Sequence, residues 1–260
     1  MAKSTEKYAI KLTSVILPTY NEAENIIDLI KEIKKNIKYK KEIIVVDDNS
    51  PDGTSKLVKD FITKNKKSNV RLETRFKKRG LTNSIRRGIE LAKGDVVVWM
   101  DCDFSMPPNV IPKLLNKIEK GYDIAVGSRF IKGGGFKISN SKGQRDSPIA
   151  IILSRLMNFS IQILLGNSFK DYTSGFIAIK KEVFNKFDLR GDYGEYFIDL
   201  IFKAKAYKFK IIEIGYLCIP RERGESKTGQ NLPQFLKRGT KYILATFLLL
   251  YEKHILHKIP

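Results

Sequence analysis

The chain of 260 residues carries 48 Lys and Arg against 28 Asp and Glu, a formal charge of +20, with 42% hydrophobic residues. Its length and apolar content suit one large α/β domain, and its charge calls for anionic partners such as nucleic acid, phosphorylated substrates or an acidic membrane surface. Two cysteines, Cys102 and Cys218, form no disulfide framework or zinc spacing and suit a reducing cytosol. The only histidines are His254 and His257, which sets histidine acid–base catalysis aside.

Met1 to Lys11 is polar and charged, without the apolar core of a signal peptide. Ser14 to Leu17 reads as a short strand ended by Pro18-Thr19-Tyr20. Asn21 and Glu24 have capping-box spacing, so a helix is expected to start there, with Ile26, Ile30, Ile33 and Ile37 on its apolar face. Glu42 to Asp48 is a buried strand. The turn Asn49 to Thr54 follows, with Thr54 placed to cap a helix that carries Leu57, Val58 and Phe61. Val70 to Glu73 is a third strand. A basic loop, Arg75 to Gly80, leads to a helix from Thr82 that Gly94 stops.

Val96 to Met100 is a continuous apolar run, as expected of a strand buried on both faces. It delivers Asp101 and Asp103 just past its end, where parallel α/β sheets bind ligands. Two residues apart in extended chain, these carboxylates share a face. Both are expected to be ionised at neutral pH, with their repulsion relieved by a divalent cation. Hard oxygen ligands without nearby Cys or His clusters favour Mg²⁺ or Mn²⁺. Taken alone, the pair reads equally well as a solvated turn before Pro107-Pro108. Asn109 to Lys120 is helical, closed by Gly121, and Asp123 to Arg129 is a fifth strand.

Alternating strands and helices over residues 12–130 imply a mostly parallel sheet. No glycine-rich phosphate fingerprint follows the first strand, which removes support for dehydrogenase and P-loop readings. From Gly133-Gly134-Gly135 the alternation stops. Pro148 to Leu165 is a strongly apolar helix whose Arg155, Asn158 and Gln162 form one polar stripe. That stripe is expected to be its wet side, or else the helix is an ordinary amphipathic core element. Phe176 to Lys180 is a strand, Tyr196 to Ala206 a helix and Lys210 to Ile219 a strand. Arg221 to Lys227 is a polar loop. Leu232 to Leu256 is a helix with Lys237, Arg238 and Lys241 at its head, read as an interfacial anchor, a packed helix or a dimer contact. Its uncharged stretch, Tyr242 to Tyr251, rises roughly 15 Å, about half of a ~30 Å hydrocarbon core.

Leu17-Pro18-Thr19-Tyr20-Asn21-Glu22, Val45 to Thr54, Asp101-Cys102-Asp103 and Gly127-Ser128-Arg129 fall in the order seen in family 2 glycosyltransferases, which the chain resembles over residues 12–240. Asp171 to Phe176 and Arg221-Glu222-Arg223-Gly224-Glu225-Ser226-Lys227 resemble the dolichyl-phosphate mannose synthases within that superfamily. The resemblance implies a GT-A type α/β fold: a polar segment 1–11, a catalytic domain 12–230 (a nucleotide-sugar half to 130, an acceptor half beyond) and a C-terminal amphipathic helix 231–260. It implies a GDP-mannose donor, a polyprenyl phosphate acceptor, and Mg²⁺ or Mn²⁺. Pro18, Tyr20, Glu22, Val46 and Asp48 would line the nucleoside pocket. Asp101, Cys102, Asp103 and Ser105 would meet metal and diphosphate, with Ser105 standing where membrane-spanning members often have Gln. Arg129, Arg221 and Lys227 would meet phosphates, and Arg145 and Arg155 are further candidates for the acceptor phosphate.

The terminal transmembrane helices of many members are missing here, as in the short members that work at the cytoplasmic face of a membrane, some with separate membrane subunits. A UDP-sugar donor such as UDP-glucose is the alternative on the same fold. A nucleic-acid-binding protein is the alternative from another class, but no reader motif supports it.

Overall fold

The computed structural model describes residues 7–137, 148–221, 223 and 232–260. Seven strands form one sheet in the order β3 (Val70–Thr74), β2 (Lys41–Asp47), β1 (Thr13–Thr19), β4 (Val96–Trp99), β7 (Ile177–Lys180), β5 (Ile124–Ser128), β8 (Ile211–Gly215). All pairings are parallel except those of β7, which runs antiparallel to both β4 and β5. Two short strands, β6 (Gly135–Phe136) and β9 (Leu217–Cys218), pair separately.

The apolar runs are continuous because both faces of the sheet are covered. Val15, Leu17, Val96 and Val98 face one core, under α1 (Ile26–Asn36), α2 (Thr54–Lys64) and α4 (Ile111–Glu119). Ile16, Val97 and Trp99 face the other, under α3 (Leu81–Leu91), α5 (Pro148–Leu165), α6 (Glu195–Ala206) and α7 (Leu232–His254). β1 lies between β2 and β4, so the sheet order reverses there, and the crevice outside the carboxyl ends of β1 and β4 is the fold's ligand position.

Four local expectations are corrected. The first helix starts at Ile26: Asn21 takes a left-handed φ of 55°, and Glu22 and Asn25 form a turn in place of a capping box. Thr54 is the first residue of α2 and not its cap. Its hydroxyl donates to Asp52 Oδ1 at 2.6 Å and accepts the Glu22 N–H at 3.0 Å. The strand expected over 210–219 breaks at Tyr216 into β8 and β9.

The fourth correction inverts α5. Two of the three stripe residues turn inward, Asn158 at 1% exposed and Gln162 half-buried, while Arg155 stays exposed. The Asn158 side chain accepts the Tyr172 N–H at 2.9 Å and donates to the Lys170 carbonyl, which also accepts from Gln162 Nε2 at 2.9 Å. A loop carrying unpaired backbone groups lies under this helix, so the amides belong inside. The outward face is apolar, with Phe159 60% and Ile163 67% exposed.

Candidate active site

Pro18 to Glu22 at the end of β1, Asp48 at the end of β2 and Asp101 to Asp103 at the end of β4 line one cleft of about 350 Å³. Arg221 closes its near side, and Arg79 to Leu81 with Asp192 and Tyr193 form the far wall.

Asp48 shows how the strand ends are fixed. Its Oδ2 accepts the Gly80 N–H at 2.6 Å, its Oδ1 accepts from Ser84 Oγ at 2.9 Å, and Arg75 Nη1 lies 3.2 Å from Oδ1. Gly80 has a φ of 122°, where a side chain is strained, so this close backbone approach calls for glycine. The Arg79 guanidinium sits 5.0 Å from the centre of the Tyr20 ring at the cleft's edge.

The other end of the cleft is a carboxylate cluster. Glu22 is buried, bonded by Asn25 Nδ2 at 3.1 Å, and its Oε1 takes Arg221 Nη2 at 3.0 Å. Arg221 Nε also donates to Asp103 Oδ2 at 3.1 Å, joining residues 118 apart in sequence. Asp103 Oδ1 accepts the Ser105 N–H at 3.0 Å, a turn made possible by the left-handed φ of 63° at Phe104. Cys102 Sγ lies 3.4 Å from the Pro18 carbonyl and fastens the loop to β1.

Asp101 opens into the cleft, and one expectation about it changes. Loss of solvation among the cleft walls, then the charges of Asp103 and Glu22, raise its pKa to about 7, against the opposing pull of Arg221 and Arg129. This shift runs against the full ionisation expected of the pair.

Several expected site residues stand elsewhere. Val46 is fully buried in the sheet's core and does not reach the cleft; only its carbonyl meets Thr19 Oγ1, at 3.4 Å. Ser105 is outside the cleft lining and touches Asp103 through its main chain. Arg129 is bidentate to the fully buried Asp171, at 2.9 Å and 2.7 Å, and also bonds Thr173 at 2.8 Å. Ser174 donates to the Gly127 carbonyl, so the Gly127-Ser128-Arg129 and Asp171 to Gly175 motifs form one tied unit behind the cleft. Arg155 lies exposed on α5, away from the cleft lining, while Lys227 and Arg145 lie outside the described residues. The far wall was missed. Arg79 and Gly80 sit in the basic loop already noted, whereas Asp192 and Tyr193 were signalled only by the closely spaced Gly191 and Gly194.

A model of the family described as glycosyl transferase family 2 matches residues 14–188. The chain belongs to glycosyl transferase family 2. Dolichol-phosphate mannosyltransferase of Pyrococcus furiosus is 38% identical over 228 residues, covering 86% of this chain and 61% of that protein. Polyprenol monophosphomannose synthase of Mycolicibacterium smegmatis is 35% identical over 227 residues, 85% of this chain and 82% of that one. The chain thus spans about three fifths of the first relative and four fifths of the second.

Among solved structures, glucosyl-3-phosphoglycerate synthase of Mycobacterium tuberculosis, with Mn²⁺, UDP-glucose and phosphoglyceric acid, superposes with a TM-score of 0.67 at 17% identity, covering 92% of this chain and 79% of that one. The same enzyme with Mg²⁺ and UDP gives 0.66. The fold of this family 2 chain is GT-A. Among the described residues no helix is long and apolar enough to cross a membrane.

Proposed function

We propose that this chain moves mannose from GDP-mannose to a polyprenyl (dolichyl) phosphate, with inversion at the anomeric carbon. The observation that carries the reading is the carboxylate cluster at the end of β4, clamped by Arg221 from the far end of the catalytic region. The names of the two relatives, a dolichol-phosphate mannosyltransferase and a polyprenol monophosphomannose synthase, support the choice of sugar and acceptor.

The nucleoside would lie between Pro18, Tyr20 and Asp48, with the diphosphate towards Asp101 and Asp103. These two carboxylates suit a hard divalent cation. Their donor set is oxygen only, with Glu22 as a further carboxylate beside it. Mg²⁺ or Mn²⁺ held there would stabilise the charge of the departing diphosphate. Arg221 adds fixed positive charge beside the cluster, and Lys227 is assigned the same task by its sequence position. An acceptor phosphate is already anionic at pH 7, so no general base is required, in keeping with a chain whose histidines lie only at His254 and His257.

The +20 charge and the apolar faces turned outward on α5 and α7 support a seat on an acidic membrane, which we assign to its cytoplasmic face. Arg155, exposed on α5 beside Leu156, is placed to meet lipid phosphate, and a separate membrane subunit remains compatible with this seat. The deciding assay offers GDP-mannose, UDP-glucose and UDP-N-acetylglucosamine separately, with Mn²⁺ and a short polyprenyl phosphate. Mannolipid from GDP-mannose alone is expected. Product from a UDP-sugar transfers the reading to that donor, and no turnover or donor binding at all ends it.

A further inference from the structure

The far wall of the donor cleft is built on α7. Gly194 lies directly on the Tyr242 phenol: a Cβ placed there would come within 2.0 Å of the Tyr242 hydroxyl. Lys241 Nζ is 3.3 Å from Asp192 Oδ2. About three turns further along α7, Glu252 receives Arg190 at 2.8 Å and 2.7 Å, and Arg190 also holds Asp199 of α6. The short stretch 190–194 is thus fastened to one helix at three points. Its own bonds aim it at the cleft: Glu195 Oε1 accepts the Asp192 N–H at 2.9 Å, and Thr82 Oγ1 of α3 meets the Tyr193 carbonyl at 3.4 Å. Asp192 and Tyr193 line the same cleft as Pro18 and Tyr20.

Among the described residues, the opposite face of α7 has no protein cover. Leu244, Phe247, Leu248, Tyr251 and Ile255 are each at least half exposed and recur at helical spacing. They lie beside the exposed row Ile152, Leu156, Phe159 and Ile163 of the neighbouring α5. One helix therefore carries the donor-cleft wall on its inner side and an uncovered apolar strip on its outer side. The strip's occupant follows from charge: a +20 chain, with exposed Arg155 set in the α5 row, complements an anionic lipid surface.

We propose that α7 couples the two: seating its outer face on anionic lipid tightens nucleotide binding, with Tyr242 and Lys241 as positioning residues for the Asp192–Tyr193 wall. Lipid on the outer strip holds the helix against α6, so the wall is already ordered when the nucleotide arrives and binding costs less entropy. Linkage requires the reverse effect to be equal: nucleotide must strengthen lipid binding by the same factor. The inference rests on the membrane seat proposed above.

The test measures GDP and UDP affinity by calorimetry with Mn²⁺ present, with and without vesicles of phosphatidylcholine and phosphatidylglycerol, and vesicle sedimentation with and without nucleotide. A matched tightening of roughly fivefold or more is expected for the better-bound nucleotide, in the range usual for coupled sites. Gly194→Ala, which pushes the wall off Tyr242, and Asp192→Asn, which loosens the tie to Lys241, should bind vesicles as the wild type does but lose the coupling factor. The factor is a ratio, so a changed basal affinity does not blur it, and if the alanine variant melts early the asparagine variant decides. Vesicle binding with an unchanged nucleotide affinity overturns the coupling alone. No vesicle binding overturns the seat together with the coupling, and binding of neither nucleotide overturns the donor reading on which both depend.

Discussion

The strands of the first half and helix α5 of the second place their polar groups by opposite logic. In β1 to β5, apolar residues go inward, and carboxylates near the strand ends are tied by arginine or backbone: buried Glu42 to Arg71, buried Asp48 to Arg75, and half-buried Asp95 to the N–H groups of Lys11 and Leu12. In α5 a neutral amide, Asn158, is buried while Phe159 beside it faces outward. A sheet saturates its own backbone and needs only apolar cover, so hydrophobic runs report burial directly. A helix over an irregular loop must supply that loop with hydrogen bonds. Its amides then turn inward, and its apolar face is left for another partner.

The sharpest way to break this contrast is at the site it leaves on the sheet edge. Asp103→Asn should lower turnover by on the order of 10²–10³ or more, with the melting temperature close to wild type, because Asp103 sits at the cleft and not in the core. Full activity in that variant would remove any electrostatic role for the β4 carboxylates. Arg221→Ala comes next, with a turnover loss on the order of 10². Arg221→Lys should rescue little of it, since an ammonium cannot reproduce the forked contact with Glu22 and Asp103. Rescue by lysine would mean that charge alone matters there.

These two residues also mark where sequence reading works. Asp101 and Asp103 are legible because strand, run length and site all lie within one short segment, and the apolar runs of β1, β2, β4 and β5 locate the parallel part of the sheet for the same local reason. Ion pairs between distant segments are not local. Nothing in the chain ties Arg221 to Glu22, nor shows that the Arg129 charge is taken up by Asp171. The sequence leaves the orientation of α5 open because periodicity reveals two faces without saying which is inside. That choice depends on the loop at Lys170 to Tyr172 lying beneath it.

Neighbouring substitutions on α5 test that point directly. Asn158→Leu, apolar and of similar size, should destabilise by about 2 kcal/mol, because the Tyr172 N–H and Lys170 carbonyl lose a buried partner. Phe159→Ser, one residue away, should change stability by no more than about 0.5 kcal/mol, as expected for an exposed site, and should reduce sedimentation with anionic vesicles. Chemical denaturation with a sedimentation assay separates the two. Equal destabilisation by both would return α5 to an ordinary core helix.

The smallest effect expected concerns acid. Glu42 is buried at the start of β2, on the sheet edge opposite the site. Burial alone would raise its pKa, but hydrogen bonds from Ser14 Oγ at 2.6 Å and the Lys93 N–H at 2.7 Å, with the Arg71 charge, outweigh burial and hold it below the ordinary value of 4.5. A carboxyl depressed on folding contributes stability that is fully present above its unfolded pKa and is lost as pH falls through the folded one. The loss therefore begins only below about pH 4.5. Glu42→Gln should be less stable than wild type at pH 7, by about 1 kcal/mol, and should show a flatter decline in that acid window. The amide ties of α5 do not titrate, so Asn158→Leu should leave the acid slope unchanged. Parallel acid-unfolding curves for the three proteins would thus separate the Glu42 carboxylate tie from the Asn158 amide tie, and a slope altered by Asn158→Leu would show that the two are not held differently.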